Sequence, residues 1–321
     1  MRIRTLLDAR PGSAARFQLQ TLVLAHSWDR WAKSAPLEVF VIGSLPQPVE
    51  QRLRELGATI VPAAPHPLAG ISKSSNKLVA LREPSDRPVL LVDNDACLLE
   101  DVSELDGRRI RTTIGARARV SDAQWEHIRE ATGLEPLDQE WVSLHGELKA
   151  RRLGRPPKIE RRLYCSSAVS WIADPGELEP LWADGIAAIA LAFEGHPLSS
   201  FPVRGSDQAG FAVAIAQHGG LDLLPPAYNH RPVCFRLGLP DPKILHFGEL
   251  GNLKGGMMPF SELLARWWER RILIPIQRSG EDAEVWPSGE ERGRLLDEAA
   301  SVRDRVLALG RDAGLDDFAF A

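Results

Sequence analysis

Cysteine is scarce in this chain: Cys97, Cys165 and Cys234 are widely spaced, with no Cys-x-x-Cys pair. That argues against a disulfide framework or a zinc–thiolate cluster and suits a reducing compartment. Residues 1–20 lack the apolar core of a signal peptide. No run approaches the roughly 18 apolar residues needed to span a bilayer. These absences point to a cytoplasmic protein without a transmembrane segment, and leave peripheral membrane contact open. Excess charge is missing too: a net charge of −4 gives no electrostatic case for a nucleic-acid partner. Internal repeats and low-complexity tracts are absent. What remains is 321 residues, 44% hydrophobic and 26% charged. This is the composition of a soluble globular chain with a core of useful size.

Apolar patterning places strands at Ile3–Leu7, Leu37–Ile42, Thr59–Val61 and Val89–Val92. Helices are expected between them at Phe17–Trp31, Val49–Leu56 and Ser75–Arg82. Alternation of this kind predicts an α/β fold with a mostly parallel central sheet flanked by helices. Beyond it, strands are expected at Ile110–Gly115, Tyr164–Ile172, Leu221–Leu224 and Lys243–Phe247. Further helices are expected at Asp122–Thr132, Pro180–Phe193 and Asp207–Gln217. Residues 149–162 carry seven basic side chains and two prolines and read as an exposed loop. Helices at Ser261–Arg271 and Glu290–Leu309 form a C-terminal extension. The expected organisation is a catalytic domain over residues 1–255 and a helical extension over 256–321. Within the first, residues 1–110 form a nucleotide and metal half and 111–255 a sugar and acceptor half.

The segment Val89-Leu90-Leu91-Val92-Asp93-Asn94-Asp95 carries the most chemistry. Four apolar residues without polar alternation read as a strand buried on both faces. It runs into two carboxylates at its carboxyl end, the end where open α/β sheets bind ligands. Burying them unpaired is costly. Asp93 can simply cap a turn with Asp95 in solvent, or the pair can hold a divalent metal. His246 closes a second apolar strand and precedes a glycine-rich stretch bearing Lys254. Two carboxylates and an imidazole suit Mn²⁺ or Mg²⁺, the imidazole tilting the choice toward Mn²⁺. Backbone amides and a lysine suit phosphate.

Five segments, in order, resemble GT-A fold glycosyltransferases, nearest to the family-8 and glycogenin-like enzymes that use nucleotide-diphosphate sugars. They are Asn76-Lys77-Leu78 with Leu81; the run Val89–Leu105; Tyr164–Ile172; Gly205-Ser206-Asp207-Gln208 with Leu224–Arg231; and Ile244–Gly248 with Lys254. The Val89–Leu105 run is the closest match, to a pattern of the form LYLDxDxLVxxDLSEL. The resemblance implies a GT-A fold and a metal-dependent transfer of a sugar, with retention of anomeric configuration, from a UDP-sugar to an acceptor that the residues do not name. It implies Asp93, Asp95 and His246 as metal ligands, with Asp93 also near the donor ribose. Lys254 would contact the diphosphate and Lys77 the nucleotide-sugar, and Asp207 and Gln208 would lie beside the reacting carbon.

Departures from the family pattern cluster on the sugar side. Ser166 stands where Asn is common, Ala168 where Gly is, and Ala209 and Ala212 follow the Asp-Gln pair. Two other readings stay open: a sugar-phosphate nucleotidyltransferase, for which Arg10–Arg16 is a faint phosphate loop, and a non-catalytic nucleotide-sugar-binding module. Trp267-Trp268 with its arginines marks either an interfacial helix or an aromatic face packed on the main domain or on a second subunit in a homodimer. Cys97 is expected to be packing rather than a nucleophile.

Overall fold

The structure is a computed structural model that describes the chain except residues 12–13, 116–119, 136–139, 161–163, 201–202, 204–205, 249, 251–257, 279–285 and 319–321. In the first part β1 (Arg2–Asp8), β2 (Leu37–Ile42), β3 (Thr59–Ala63) and β4 (Val89–Val92) alternate with α1 (Ala14–Trp31) and α2 (Gln47–Glu55). Before β4, a 3-10 turn (Lys73–Leu78) runs into the short α3 (Val79–Arg82). Then follow β5 (Ala96–Leu98), β6 (Ile110–Ile114), α4 (Asp122–Thr132), α5 (Leu144–Arg152), β7 (Cys165–Ile172) and α6 (Pro175–Ala192). The chain continues through α7 (Asp207–Gln217), β8 (Leu221–Leu223), α8 (Pro232–Leu237) and β9 (Ile244–His246). It closes with α9 (Phe260–Trp268), α10 (Ile274–Arg278) and α11 (Gly289–Asp312).

Among the described residues, seven strands form one sheet in the order β3-β2-β1-β4-β7-β6-β8. β1 pairs in parallel with β2 and β4, β2 with β3, and β6 with β8. β7 runs antiparallel to both of its neighbours, β4 and β6. The carboxyl ends of β1 and β4 and the amino end of β7 therefore meet at one edge. β4 is central because it is apolar on both faces. Leu90 and Val92 enter one core while Val89 and Leu91 enter the other, as the two-residue period of a strand requires. Pro62 falls in β3 at the sheet's rim, where a missing ladder donor is tolerated.

Arg4 shows how β1 is tied to the turn that precedes β4. Its side chain is 2% exposed, paired with Glu38 at 2.7 Å, and it donates to the carbonyls of Ala80 and Glu83 at 2.9 and 2.8 Å. A buried guanidinium is tolerable only when its donors are met, and these carbonyls end α3. On the other flank, α6 and α7 cross at close range. A Cβ on Gly185 would lie 2.8 Å from the Gly210 carbonyl oxygen, and one on Gly210 would lie 2.5 Å from Ile186 Cγ1. Glycine at both positions lets the helix that begins at Asp207 sit against α6.

The C-terminal helices complete the core on the α1 side of the sheet. Phe260, Leu264, Trp268, Ile272 and Ile276 are buried in the same cluster as Ile3, Leu22 and Val92. Trp267 and Trp268 stack edge-on against Phe247 and Phe235. The aromatic face is therefore packed onto the main fold.

Some elements differ from the sequence expectation. α6 starts at Pro175, not Pro180: Asp174 caps it by accepting from Glu177 N at 3.1 Å. Pro180 lies inside the helix, where its ring removes a single hydrogen bond. The basic run is not all loop, because residues 149–152 finish α5, which Ser143 caps. The helix expected at Ser261–Arg271 passes through a π turn, Glu269–Leu273, and reaches Arg278. α8 was not expected: it spans six residues, too short for a helical period to register.

Candidate active site

Three side chains chosen from the sequence converge at the edge where β4 ends. Ligand atoms of Asp93, Asp95 and His246 all lie within 4.8 Å of one another. The backbone explains how residues some 150 positions apart meet. Asp93 N is held by the Ala168 carbonyl at 2.7 Å, continuing the β4–β7 ladder. Immediately after Asp95 the chain enters β5, which pairs antiparallel with β9 so that Ala96 faces His246. Phe247 N then bonds the Asp95 carbonyl at 2.8 Å. This small sheet is the device that carries His246 to the aspartates.

Lys77 lies on the other side of Asp93. Its ammonium is 2.9 Å from Asp93 Oδ1, 3.2 Å from Asp207 Oδ2 and 3.1 Å from Ser167 Oγ. Ser167 Oγ in turn donates to Asp207 Oδ2 at 2.8 Å. Asp207 opens α7, whose start is capped by Ser206 and whose first carbonyl accepts from Trp182 Nε1 at 2.8 Å. Gln208 follows in the same first turn and is half-buried. On the far side, His246 Nε2 is 3.1 Å from Asp95 Oδ1, and its Nδ1 is 2.9 Å from Asn229 Oδ1. Lys77, Asp93, Asp95, Asp207 and His246 are thus in one place, Gln208 adjoins Asp207 along the chain, and Lys254 lies outside the described residues.

Crowded carboxylates in a half-dry site push each other's titration apart. Burial raises the Asp93 carboxyl above its ordinary value, and the adjacent Asp95 adds to this against the pull of Lys77 and His246. Burial works on Asp95 as well. There the charge and hydrogen bond of His246, with Lys77 and Arg231, win and hold the carboxyl low. Burial disfavours the Lys77 ammonium, yet Asp93 and Asp207 more than offset it and raise its pKa. Asp93 and Asp207 thus flank Lys77, and the donor set of two aspartates and an imidazole fits a small divalent cation. Cys97 is fully buried, and burial pushes its thiol far up, so it is packing.

Several residues here escaped the sequence reading as site residues. Ser167 bridges Lys77 to Asp207. Asn229 and Ser166 stand behind His246, with Arg231 Nη2 donating to Ser166 Oγ at 2.9 Å. Asp8, at the end of β1, accepts from Asn76 Nδ2 at 3.2 Å and pairs with Arg10. Adjacent serines on β7 serve opposite sides because successive strand residues point to opposite faces. A sequence shows that alternation only once strand and edge are known.

A mostly parallel sheet with an Asp-x-Asp at its carboxyl edge, a returning histidine and a lysine–aspartate bridge is the arrangement that the sequence resemblance to glycosyltransferases implies. The chain belongs to the family described as the Rhodobacterales glycosyltransferase domain, whose model matches residues 12–219. It is therefore a glycosyltransferase. No curated protein sequence matches the chain. Among solved structures, apo mouse xyloside xylosyltransferase 1 is similar at 15% identity and TM-score 0.46, over 80% of this chain and 99% of that one. The glycosyltransferase GlyE of Streptococcus pneumoniae TIGR4 is similar at 15% identity and TM-score 0.45. That match covers 85% of this chain and 65% of GlyE. Among the described residues no helix is long and apolar enough to cross a membrane.

Proposed function

We propose that the chain transfers a sugar from a nucleotide-diphosphate donor, a UDP-sugar, to an acceptor hydroxyl with retention of anomeric configuration. Mn²⁺ or Mg²⁺ would be held by Asp93, Asp95 and His246. The observation that carries this reading is the convergence of those three ligand groups within 4.8 Å, beside a lysine that two carboxylates share. When bound, such an ion stabilises the negative charge that develops on the departing diphosphate.

The chain's own residues supply the rest. Lys77 is held charged beside Asp93 and Asp207 and offers a cation to the donor, while orienting the Asp207 carboxylate. Asp207 and Gln208 place a carboxylate and an amide oxygen in the first turn of α7. Oxygens of this kind stabilise an oxocarbenium-like centre, as the chemistry of glycoside cleavage illustrates. Lys254, in the glycine-bearing segment after β9, is assigned to the diphosphate. Residues 1–110 provide the nucleotide and metal half, and residues 111–255 the sugar and acceptor half.

The test is incubation of the protein with Mn²⁺ and a panel of nucleotide sugars, measuring nucleoside diphosphate release and the anomeric configuration of the product. Metal-dependent release from UDP-sugars with a retained anomer supports the proposal. Pyrophosphate formed from a nucleoside triphosphate and a sugar phosphate would replace it with nucleotidyl transfer. Neither turnover nor nucleotide-sugar binding with any metal would overturn it.

A further inference from the structure

We infer that Asn229 is a positioning residue for His246, selecting the tautomer that leaves Nε2 free to bind the metal. This inference rests on the metal reading of the site above. Asn229 is 2% exposed and lies in the 3-10 turn Pro226–Asn229, just before the His230 backbone joins β9. Every polar atom of its amide is engaged. Nδ2 donates to Thr113 Oγ1 and to Ser166 Oγ, both at 2.8 Å. Oδ1 faces His246 Nδ1 at 2.9 Å and Arg231 Nε at 3.5 Å.

The orientation of an amide follows from its partners. Hydroxyls can accept from Nδ2, so Thr113 and Ser166 are compatible with the orientation observed. Arginine Nε can donate and never accept, so the amide atom facing it is the oxygen. A flipped amide would set an N–H against that N–H. With Oδ1 fixed toward the imidazole, His246 Nδ1 must carry a proton and donate it. The other ring nitrogen, Nε2, is then the one that can exchange its proton, shared with Asp95, for a cation. It is also the nitrogen 3.1 Å from Asp95 Oδ1, on the side of the two aspartates. Metal-bound histidines generally donate their second N–H to such an acceptor, and losing it costs about 10–100-fold in affinity. The small side chain of Ser166 leaves room for Asn229 Nδ2 and Arg231 Nη2 to meet at its Oγ.

The experiment is titration of Mn²⁺ alone, followed by loss of the free-ion electron paramagnetic resonance signal, for a cycle of variants. Asn229→Leu should weaken Mn²⁺ binding about 10–100-fold. The same substitution in a His246→Gln background should change affinity less than about 3-fold, since the path through the imidazole is already cut. Asn229→Asp, which keeps the acceptor, should bind Mn²⁺ about tenfold more tightly than Asn229→Leu. It also guards against the apolar variant failing to fold, which a melting curve reports. Equal losses from Asn229→Leu in both backgrounds, or no loss in either, would overturn the assignment. Absence of Mn²⁺ binding by the unmodified protein is a different failure, because it removes the metal site itself.

Discussion

Lys77 offers the sharpest perturbation. Its side chain is 11% exposed, and the ammonium lies 2.9 and 3.2 Å from the carboxylates of Asp93 and Asp207. Lys77→Met keeps most of the stem's apolar contact while deleting the charge. Removing one partner of a buried pair costs about 3–5 kcal/mol, because the remaining charge is left uncompensated. Here two carboxylates lose their cation, so the upper part of that range applies in the absence of metal. In a chain of this size about 1 kcal/mol moves Tm by roughly 2 °C, so the metal-free variant should melt about 8–10 °C lower. Mn²⁺ should then raise the variant's Tm by more than it raises the parent's, since Asp93 is no longer engaged by Lys77. Differential scanning calorimetry with and without Mn²⁺ reads both quantities, and donor turnover should fall at least about tenfold. A metal-free Tm that matches the parent's, with equal Mn²⁺ increments, would refute the view that Lys77 compensates these carboxylates.

Two further perturbations probe the scaffold. Gly210→Ala places a Cβ 2.5 Å from Ile186 Cγ1 and 3.0 Å from Ile186 N, so backbone as well as side chain must shift. Overpacking of this kind costs about 1–3 kcal/mol. Because α7 carries Asp207, chemical denaturation should show that loss together with a fall in kcat larger than any change in KM. Unaltered kcat would separate α6–α7 packing from the site. His26 is held neutral by burial and by the neighbouring Arg52, with its pKa lowered from 6.5 to about 4. Its Nε2 accepts from Arg52 Nε at 3.1 Å. The unfolded chain therefore binds the extra proton first as the pH falls. Its contribution, about 3 kcal/mol, is complete above pH 6.5 and is lost between there and about pH 4. His26→Gln, which keeps an acceptor for Arg52, should flatten the acid fall in stability, measured by urea unfolding at about pH 7.5 and about pH 4.5. Parallel pH dependences in the two proteins would contradict this.

The fold was legible wherever an element was long and buried on both faces. β4 appears as an uninterrupted apolar run and β2 as one broken only by Glu38, and the apolar residues of both indeed enter both cores. That Asp93 and Asp95 lie at the carboxyl edge of the sheet was legible because they directly follow such a run. His246 was legible for the same reason, at the end of β9. What the sequence concealed is the pairing that joins them. β5 and β9 are three residues each, and their register depends on a return of the chain that no local pattern encodes. Ser166, Ser167 and Asn229 were concealed differently. Small polar residues inside an apolar strand or a tight turn look the same whether they satisfy the backbone or bridge a lysine to an aspartate. The start of α6 was obscured by Pro180, which reads as a helix opener although Asp174 and Pro175 already provide one.

Nucleotide-diphosphate binding by this protein should turn on a divalent cation held by Asp93, Asp95 and His246. Isothermal titration of UDP into the protein, with and without Mn²⁺, and into Asp95→Asn, reads that dependence without relying on the acceptor. The expected result is Mn²⁺-dependent binding that weakens at least about tenfold in Asp95→Asn. UDP affinity that is the same with and without Mn²⁺, or unchanged in Asp95→Asn, would contradict the metal site.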